Sequence, residues 1–460
     1  FGAFQACACL LATGAYKWPG GVAAKTVGIL TNRIPTDPYR GAGRPEATYF
    51  QERMLDAIAG DLGLDPAEVR RRNFIKKEQF PYSTPTGLVY DSGDYAMALD
   101  RALELSGFGQ LRAEAAELRK RGKLRGVGFA SNVEICAFGP SRIMGSGGFE
   151  TAIARVEPSG KVTLNTGVSP HGQGHETAFA QIAADALEID INDVTLLHGD
   201  TASAPFSNNG TGGSRSLALG GSALKLAMDA VRDKTLKIGA HLLEAAPEDV
   251  ELVEGTVRVK GAPGRAITFA EVASEAYTGV NLPEGMEPGL QFTRVFDPPN
   301  YTFPFGTHVA VVDVDMETGK TELVRYVSVD DCGNMVNPRL VDGQVQGGVA
   351  QGAAQALCEH IIYDRESGQL VTGSLGDYAA IRAAMLPMME NHHTVTPTPS
   401  NPLGVKGIGE AGTICATPTV ANAVADALRQ VGVKHVDIPA TSERIWQLIQ
   451  TATNGGAAET

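Results

Sequence analysis

A chain of 460 residues is longer than one hydrophobic core usually serves, so it holds more than one packed unit. Hydrophobic residues at 43% and charged residues at 20% exclude intrinsic disorder, and a net charge of −13 argues against a nucleic-acid or anionic-membrane binder, which needs a basic face. Glycine is the outlier: 54 residues, where average usage of about 7% gives roughly 32, mark many places where backbone turns sharply or approaches something closely.

The six cysteines are too sparse for a disulfide framework and contain no C-x-x-C pair, which speaks against a zinc ribbon or an iron–sulfur cluster, and a cytoplasmic location is expected. The opening FGAFQACACLLATGAY has neither a basic n-region nor the length to span a bilayer and reads as the interior of a longer polypeptide.

In chain order, Phe50, Met54 and Ile58 recur every four residues and predict a helix over 46–62. Asp65-Pro66 is an N-cap with proline at the first helical position, opening a short helix that runs to Phe74. A basic helical stretch is expected over 95–125, with Gly122 and Gly126 as breakers and a domain boundary near 125. ETAIARVEPSGKVTLNTGV then alternates around Pro158-Ser159-Gly160 and predicts a β-hairpin, followed by an HGQGH loop and a helix carrying Phe179, Ile182, Ala183, Ala186 and Leu187.

A helix over 220–243 and excursion loops with short strands over 247–306 lead to a second hairpin, HVAVVDVDMETGKTELVRYVSV, around Thr318-Gly319. DGQVQGG, read as a second Gly-Gln loop, and the run VAQGAAQAL follow it. Hairpin, Gly-Gln loop and alanine-rich helix thus occur twice in one order. An internal duplication, with halves at about 126–245 and 300–460, accounts for this; chance recurrence in an α+β protein is the rival. Val420, Val424 and Leu428 predict a helix over 420–428, and Thr441 caps another that carries Ile445 and Leu448.

Thr318-Gly319-Lys320-Thr321 has the tail of a phosphate loop, but Val314 stands where its first glycine belongs. Gly407-x-Gly409-x-x-Gly412 fits the dinucleotide fingerprint yet follows NPLGVK rather than a strand, which leaves a nicotinamide-dependent dehydrogenase as a weaker alternative. His171 and His175 are spaced like two metal ligands on a helix, but Gly172 and Gly174 argue against helix there. A loop around a bound group is the better reading: its backbone N–H groups form an anion site, and Gln173 offers an amide to a heterocycle. Residues 208–216 (NNGTGGSRS) form a second such loop, with hydroxyls and Arg215 suited to phosphate; a mobile turn is its rival reading. Glu410 stands alone among glycine and alanine in 406–412, where a bulky group can approach it. Shielded from water it would serve as a general base, and otherwise it is a solvated turn residue.

Together, five segments resemble, in order, the molybdenum-binding large subunit of the xanthine dehydrogenase, aldehyde oxidase and carbon monoxide dehydrogenase family. They are 38–46 (PYRGAGRPE), 171–177 (HGQGHET), 210–216 (GTGGSRS), 331–338 (DCGNMVNP) with Gly343-Gln344, and 404–412 (GVKGIGEAG). The resemblance implies an α+β fold: the end of a first domain, 1–125, then an internally duplicated second domain, 126–460. It implies molybdenum and a molybdopterin, in the cytosine dinucleotide form, with the metal held by the pterin dithiolene and by no protein atom. By the same resemblance Arg40 contacts the pterin side, and Gln173 lies beside the molybdenum in a cofactor loop with Gly172, Gly174 and His175. Thr211, Gly213, Ser214, Arg215 and Ser216 bind pterin or phosphate, Gln344 sits near the dithiolene end, Lys406 and Gly407 hold cofactor, and Glu410 is the catalytic base. Gly41 and Ala42 belong to the substrate pocket. Electrons leave through 2Fe–2S and FAD partner subunits, in a dimer of heterotrimers that includes the N-terminal part of the large subunit; neither nucleic acid nor a membrane span is implied.

The departures narrow the chemistry. The family's Gly-Gly-Phe-Gly-Gly-Lys type of element is missing, so the pocket needs a preceding polypeptide. Gly41 stands where carbon monoxide dehydrogenases carry a copper-holding cysteine, and Ala42 where purine-oxidising members place a stacking phenylalanine. The reading is a molybdenum-dependent hydroxylase of an aldehyde or N-heterocycle using water-derived oxygen, with a form II carbon monoxide dehydrogenase-type enzyme as the alternative.

Overall fold

The computed structural model describes residues 3–34, 37–145 and 147–455. The first elements are α1 (Ala3–Leu10), α2 (Arg44–Leu62) and α3 (Pro66–Asn73), then a small ribbon of β1 (Tyr82–Ser83) and β2 (Val89–Tyr90), then α4 (Tyr95–Ser106) and α5 (Phe108–Arg119). Asp65 caps α3, its Oδ1 accepting the N–H groups of Ala67 at 2.6 Å and Glu68 at 3.3 Å. The helix over α2 forms, but Phe50, Met54 and Ile58 face outward at 65%, 58% and 40% exposure, while Arg44, Thr48, Glu52, Leu55 and Ala59 form its buried face. Polar side chains, not the apolar stripe, anchor this helix. The stretch over 95–125 is two helices parted at Gly107, and Leu124 already begins a strand.

That strand, β3 (Leu124–Val133), is followed by α6 (Ser141–Met144), the hairpin β4 (Glu150–Val156) and β5 (Val162–Thr166), α7 (His175–Leu187) and β6 (Val194–Leu197). A π-helical turn at Ser216–Gly221 runs into α8 (Ser222–Leu242). The stretch expected as excursion loops with short strands holds such strands in a three-stranded sheet of β7 (Val250–Val253), β8 (Thr256–Val259) and β9 (Ala262–Thr268), then an unexpected helix, α9 (Phe269–Thr278), and β10 (Gln291–Phe296). Helix α9 carries a capping box of Thr268 and Glu271, a local signal that the polar composition hid.

The second half repeats the order: β11 (Phe305–Val314) and β12 (Thr321–Asp331) form the hairpin, and α10 (Pro338–Leu357), β13 (Met389–Thr394), α11 (Ala411–Leu428) and α12 (Ser442–Gly455) follow. Gly343 and Gln344 lie inside α10 rather than in a loop. Asn337 caps that helix, its Oδ1 accepting the Leu340 N–H at 3.1 Å, and Pro338 opens it, which outweighs the glycine content. Helix α11 starts at Ala411, well before Val420, and continues through Pro418.

The two main sheets have orders β10-β4-β5-β6 and β13-β12-β11-β3. In each, an antiparallel hairpin is flanked on one side by an antiparallel strand and on the other by a parallel one, reached through a helical crossover, α7 or α10. Helices α8 and α11 cover the corresponding sheets. Val309 of β11 pairs with Val327 on one side and Phe129 on the other, and these residues pack with Leu11, Tyr16, Phe74, Tyr95 and Leu99. Elements on both sides of residue 125 therefore share one core within an α+β fold. No helix among the described residues is long and apolar enough to cross a membrane.

Candidate cofactor-binding active site

A cavity of about 450 Å³ lies between the two halves, lined by Arg40, the 171–175 loop, the 211–217 turn, the start of α10 and the 406–410 loop. Four helical segments begin at its wall: α7 at His175, the π turn at Ser216, α10 at Pro338 and α11 at Ala411. The first N–H groups of a helix lack intrahelical partners and carry the positive end of its dipole, so their convergence favours a bound anion.

Glycine lets the backbone close around this space. At Gly172, whose φ is +83°, an added Cβ would meet nothing within 4 Å, so its bare backbone faces open cavity. At Gly407 an added Cβ would fall 2.3 Å from the Ser214 carbonyl oxygen and 2.8 Å from Cys136 Sγ. Only glycine allows the 406–410 loop to press against the Ser214 turn.

Glu410 stands on the cavity wall at the N-cap of α11. Its Oε1 accepts from Arg44 Nη2 at 2.8 Å and from the Gly41 N–H at 3.0 Å, and its Oε2 accepts from the Ser214 hydroxyl at 3.0 Å. Arg44 is itself buried, its Nε donating to the Gly41 carbonyl at 2.6 Å and its Nη1 to the Ile135 carbonyl at 2.9 Å. Burial works against the Arg44 charge, but Glu410 and Glu134 outweigh it and raise its proton affinity. Glu134 lies fully buried behind this pair, its Oε1 3.2 Å from Arg44 Nη1.

Arg40 reaches the cavity with its guanidinium engaged: Nη2 donates to Gln344 Oε1 at 2.8 Å, Nη1 to Gln351 Oε1 at 3.1 Å and Nε to the Gly409 carbonyl. It ties α10 to the Glu410 loop. Gln173 also lines the space, but its amide folds back on its own loop, Nε2 donating to the Ser169 carbonyl at 3.1 Å and Oε1 accepting the His171 N–H, rather than standing free for a heterocycle. Thr211 and Ser216 share a hydroxyl contact of 2.8 Å at the wall. His175 lies flat on Phe179, ring centroids 5.2 Å apart, and burial first and His198 second lower its pKa to about 4, so it is neutral near pH 7.

Three expectations are corrected by orientation. The Arg215 guanidinium is fully buried, paired with Glu150 Oε2 at 2.8 Å and bonded to the Gly148 carbonyl at 3.0 Å, and so does not face the cavity. The Lys406 residue lines the wall, but its ammonium is engaged by the Ser92 carbonyl, 3.1 Å distant, outside that lining. Ala42 faces a second cavity, beside Cys9, Tyr39, Glu46 and Phe50, while Gly41 meets the first site only through its N–H to Glu410. Gly174 is the N-cap of α7, packed on Leu340, and Gly213 abuts the Phe138 ring. Arg44 and Glu134 were not singled out from sequence. Arg44 sits inside the 38–46 segment, and a lone acid among apolar residues in SNVEICAFG was the one local hint of Glu134.

The Gly407-x-Gly409-x-x-Gly412 run is preceded by an isolated bridge between Gly333 and Val405, not by a strand of a parallel sheet, so the nicotinamide alternative loses its structural basis. The wall instead combines an open glycine cradle, four helix starts and the rotatable hydroxyls of Thr211 and Ser216. This donor set fits a large phosphate-bearing cofactor such as molybdopterin.

Comparison with known proteins agrees. Two families, each described as a molybdopterin cofactor-binding domain, match residues 2–74 and 101–387. The chain is 39% identical over 466 residues to the carbon monoxide dehydrogenase large chain of Hydrogenophaga pseudoflava, covering 98% of this chain and 57% of that one. It is 35% identical over 447 residues to the nicotine 6-hydroxylase large subunit of Paenarthrobacter nicotinovorans, covering 96% and 54%. The crystal structure of quinoline 2-oxidoreductase from Pseudomonas putida 86 superimposes with a TM-score of 0.90 at 35% identity, covering 97% of this chain and 57% of that one. The chain thus spans just over half the length of the relatives it matches. With both halves matched and its motifs in order, the chain belongs to the molybdopterin-binding large-subunit family of xanthine dehydrogenase, aldehyde oxidase and carbon monoxide dehydrogenase.

Proposed function

We propose that this chain is part of the large subunit of a molybdenum hydroxylase that oxidises an N-heterocycle or an aldehyde with oxygen from water. It works in the cytoplasm, with 2Fe–2S and FAD subunits that carry electrons away and with the remainder of the large subunit. The observation that carries this reading is the Glu410 carboxylate at the wall of the cavity, held at both oxygens by Arg44, Gly41 and Ser214. Molybdenum on a pterin dithiolene, when bound, supplies the two-electron redox and oxygen-transfer chemistry. Backbone N–H groups at the starts of α7 and α11 and at the Ser216 turn would hold its phosphates, with Thr211 and Ser216 hydroxyls beside them. Gln344 and Gly172, both on the cavity wall, would border the pterin.

Glu410 is the general base. It takes a proton at Oε2, the oxygen that bears only the Ser214 hydroxyl, while Arg44 and the Gly41 N–H keep Oε1 in place. The named relatives that act on nicotine and quinoline support a heterocycle. A carbon monoxide dehydrogenase-type reaction remains a second reading, supported by the 39% identity to such a large chain, but Gly41 offers no sulfur for copper.

Metal and nucleotide analysis of the assembled enzyme tests this: about one molybdenum per chain, a pterin that releases CMP, and no stoichiometric copper. Copper with molybdenum would favour the second reading, and absence of molybdenum would overturn both. A dye-reduction screen of aldehydes, nicotinate-type heterocycles and purines then assigns the substrate.

A further inference from the structure

The reaction described above does not use Glu134, yet Glu134 touches both side chains that hold Glu410. It follows β3, and its carboxyl is completely buried. Its Oε1 accepts from Arg44 Nη1 at 3.2 Å and from Ser214 Oγ at 3.0 Å, while the same two side chains reach Glu410 at 2.8 Å and 3.0 Å. Its Oε2 has no oxygen or nitrogen partner, and the Cys136 thiol lies against the carboxyl. The titratable and charged groups that face it are Arg44 from α2, Cys136 downstream of β3, Glu410 from the start of α11 and, less directly, Arg40 ahead of α2.

One guanidinium and one hydroxyl proton are thus divided between two carboxyl groups. A serine has a single proton to donate, so Ser214 serves one carboxylate at a time. Two carboxylates that share one directly bonded cation, with Arg40 acting on both only from farther off, are also not both fully compensated in a low-dielectric setting, and the more deeply buried one keeps its proton more readily.

We propose that Glu134 is a positioning residue that sets the basicity of Glu410 through Arg44 and Ser214. Protonated, it leaves the Arg44 charge and the Ser214 proton to Glu410, which is then a well-stabilised, weak base. Ionised, it competes for both and adds a second negative charge, and Glu410 becomes a stronger base. Burial first raises the Glu134 pKa; Arg44 pulls it down and Glu410 pushes it up, leaving it at about 8, within the range of a turnover measurement. Ser214 connects the pair: as it accepts a proton from Glu134 Oε1, its own passes to Glu410 Oε2, and the carboxyl groups exchange charge states. This role rests on Glu410 being the base of the proposed reaction.

The test combines infrared difference spectra of the assembled enzyme across a pH series with a kcat–pH profile. The unaltered enzyme should show a buried carboxylic-acid C=O band that vanishes with a midpoint near pH 8. Glu134→Gln should lack the band. In Glu410→Gln the band should remain but its midpoint should fall by about one pH unit or more, because the neighbouring like charge is gone. In the turnover profile, the rate of the unaltered enzyme should rise about threefold to tenfold through the same midpoint, and Glu134→Gln should run flat there. A band that persists in Glu134→Gln, or an unmoved midpoint in Glu410→Gln, overturns the coupling regardless of any activity. Coupled bands with a turnover inflection that survives in Glu134→Gln overturn the positioning role. Should Glu134→Gln fail to fold, the midpoint in Glu410→Gln decides the matter alone.

Discussion

Arg44 Nη2 meets Glu410 Oε1 at 2.8 Å across 366 residues of chain, so the carboxylate at the cavity wall is held by a helix from the opposite end of the sequence. The contact joins α2 to the first residue before α11, and it is buried on the arginine side and only 16% exposed on the glutamate side.

Removing that guanidinium leaves two carboxyl groups without their cation. Arg44→Met should therefore lower stability by about 3–5 kcal/mol, the usual cost of breaking a buried ion pair from one side. Denaturant melting of the assembled protein checks this, and a loss below about 1 kcal/mol would show that the pair is not holding the site together.

Glu410→Gln should retain molybdenum and pterin, because the amide keeps the shape and the contact with Ser214. Its kcat should fall by about 10²–10⁴-fold, the contribution of a positioned proton acceptor. Normal turnover in this variant would remove Glu410 from the chemistry.

Gly407→Ala places a methyl group 2.3 Å from the Ser214 carbonyl oxygen, and that contact is relieved only by parting the 406–410 loop from the Ser214 turn. The expected result is a folded chain with most of its molybdenum lost and a turnover deficit of about tenfold or more, since small misplacements of a catalytic group are costly. Full metal occupancy with unchanged kcat would contradict it.

His175 is neutral in the fold, its pKa lowered from 6.5 to about 4 by burial and by His198, with Glu176 opposing. Between these pH values the unfolded chain binds a proton that the folded chain does not, so stability falls as pH drops through that window. The loss across it should be about 2–3 kcal/mol, and His175→Gln should flatten that part of the stability curve. An unchanged acid limb in the variant would mean that another group is responsible.

Local features were legible wherever the physics is local. Alternation around Pro158-Ser159-Gly160 and Thr318-Gly319 marks both hairpins, and Asp65-Pro66 and Thr441 mark helix starts, because caps and turns are set by neighbouring atoms. The same reasoning misjudged Gly343-Gln344, where the Asn337 cap and packing on α11 override glycine's reluctance to be helical, and missed α9, whose Thr268–Glu271 box lay in a polar stretch.

By itself, the sequence determined the family and the segments that matter: Arg40, Gln173, Ser214, Gln344 and Glu410 lie far apart in the chain and all border one cavity. Only the tertiary structure decided what each side chain does there. It turned Arg215 inward to Glu150 and Lys406 away to Ser92, brought the starts of four helical segments to the wall of one space, and set Arg44 and Ser214 between Glu134 and Glu410. The reason is that a buried charge must be compensated by whatever group packing brings within about 3–4 Å, and those partners come from elements far apart in the chain, beyond the reach of any local pattern.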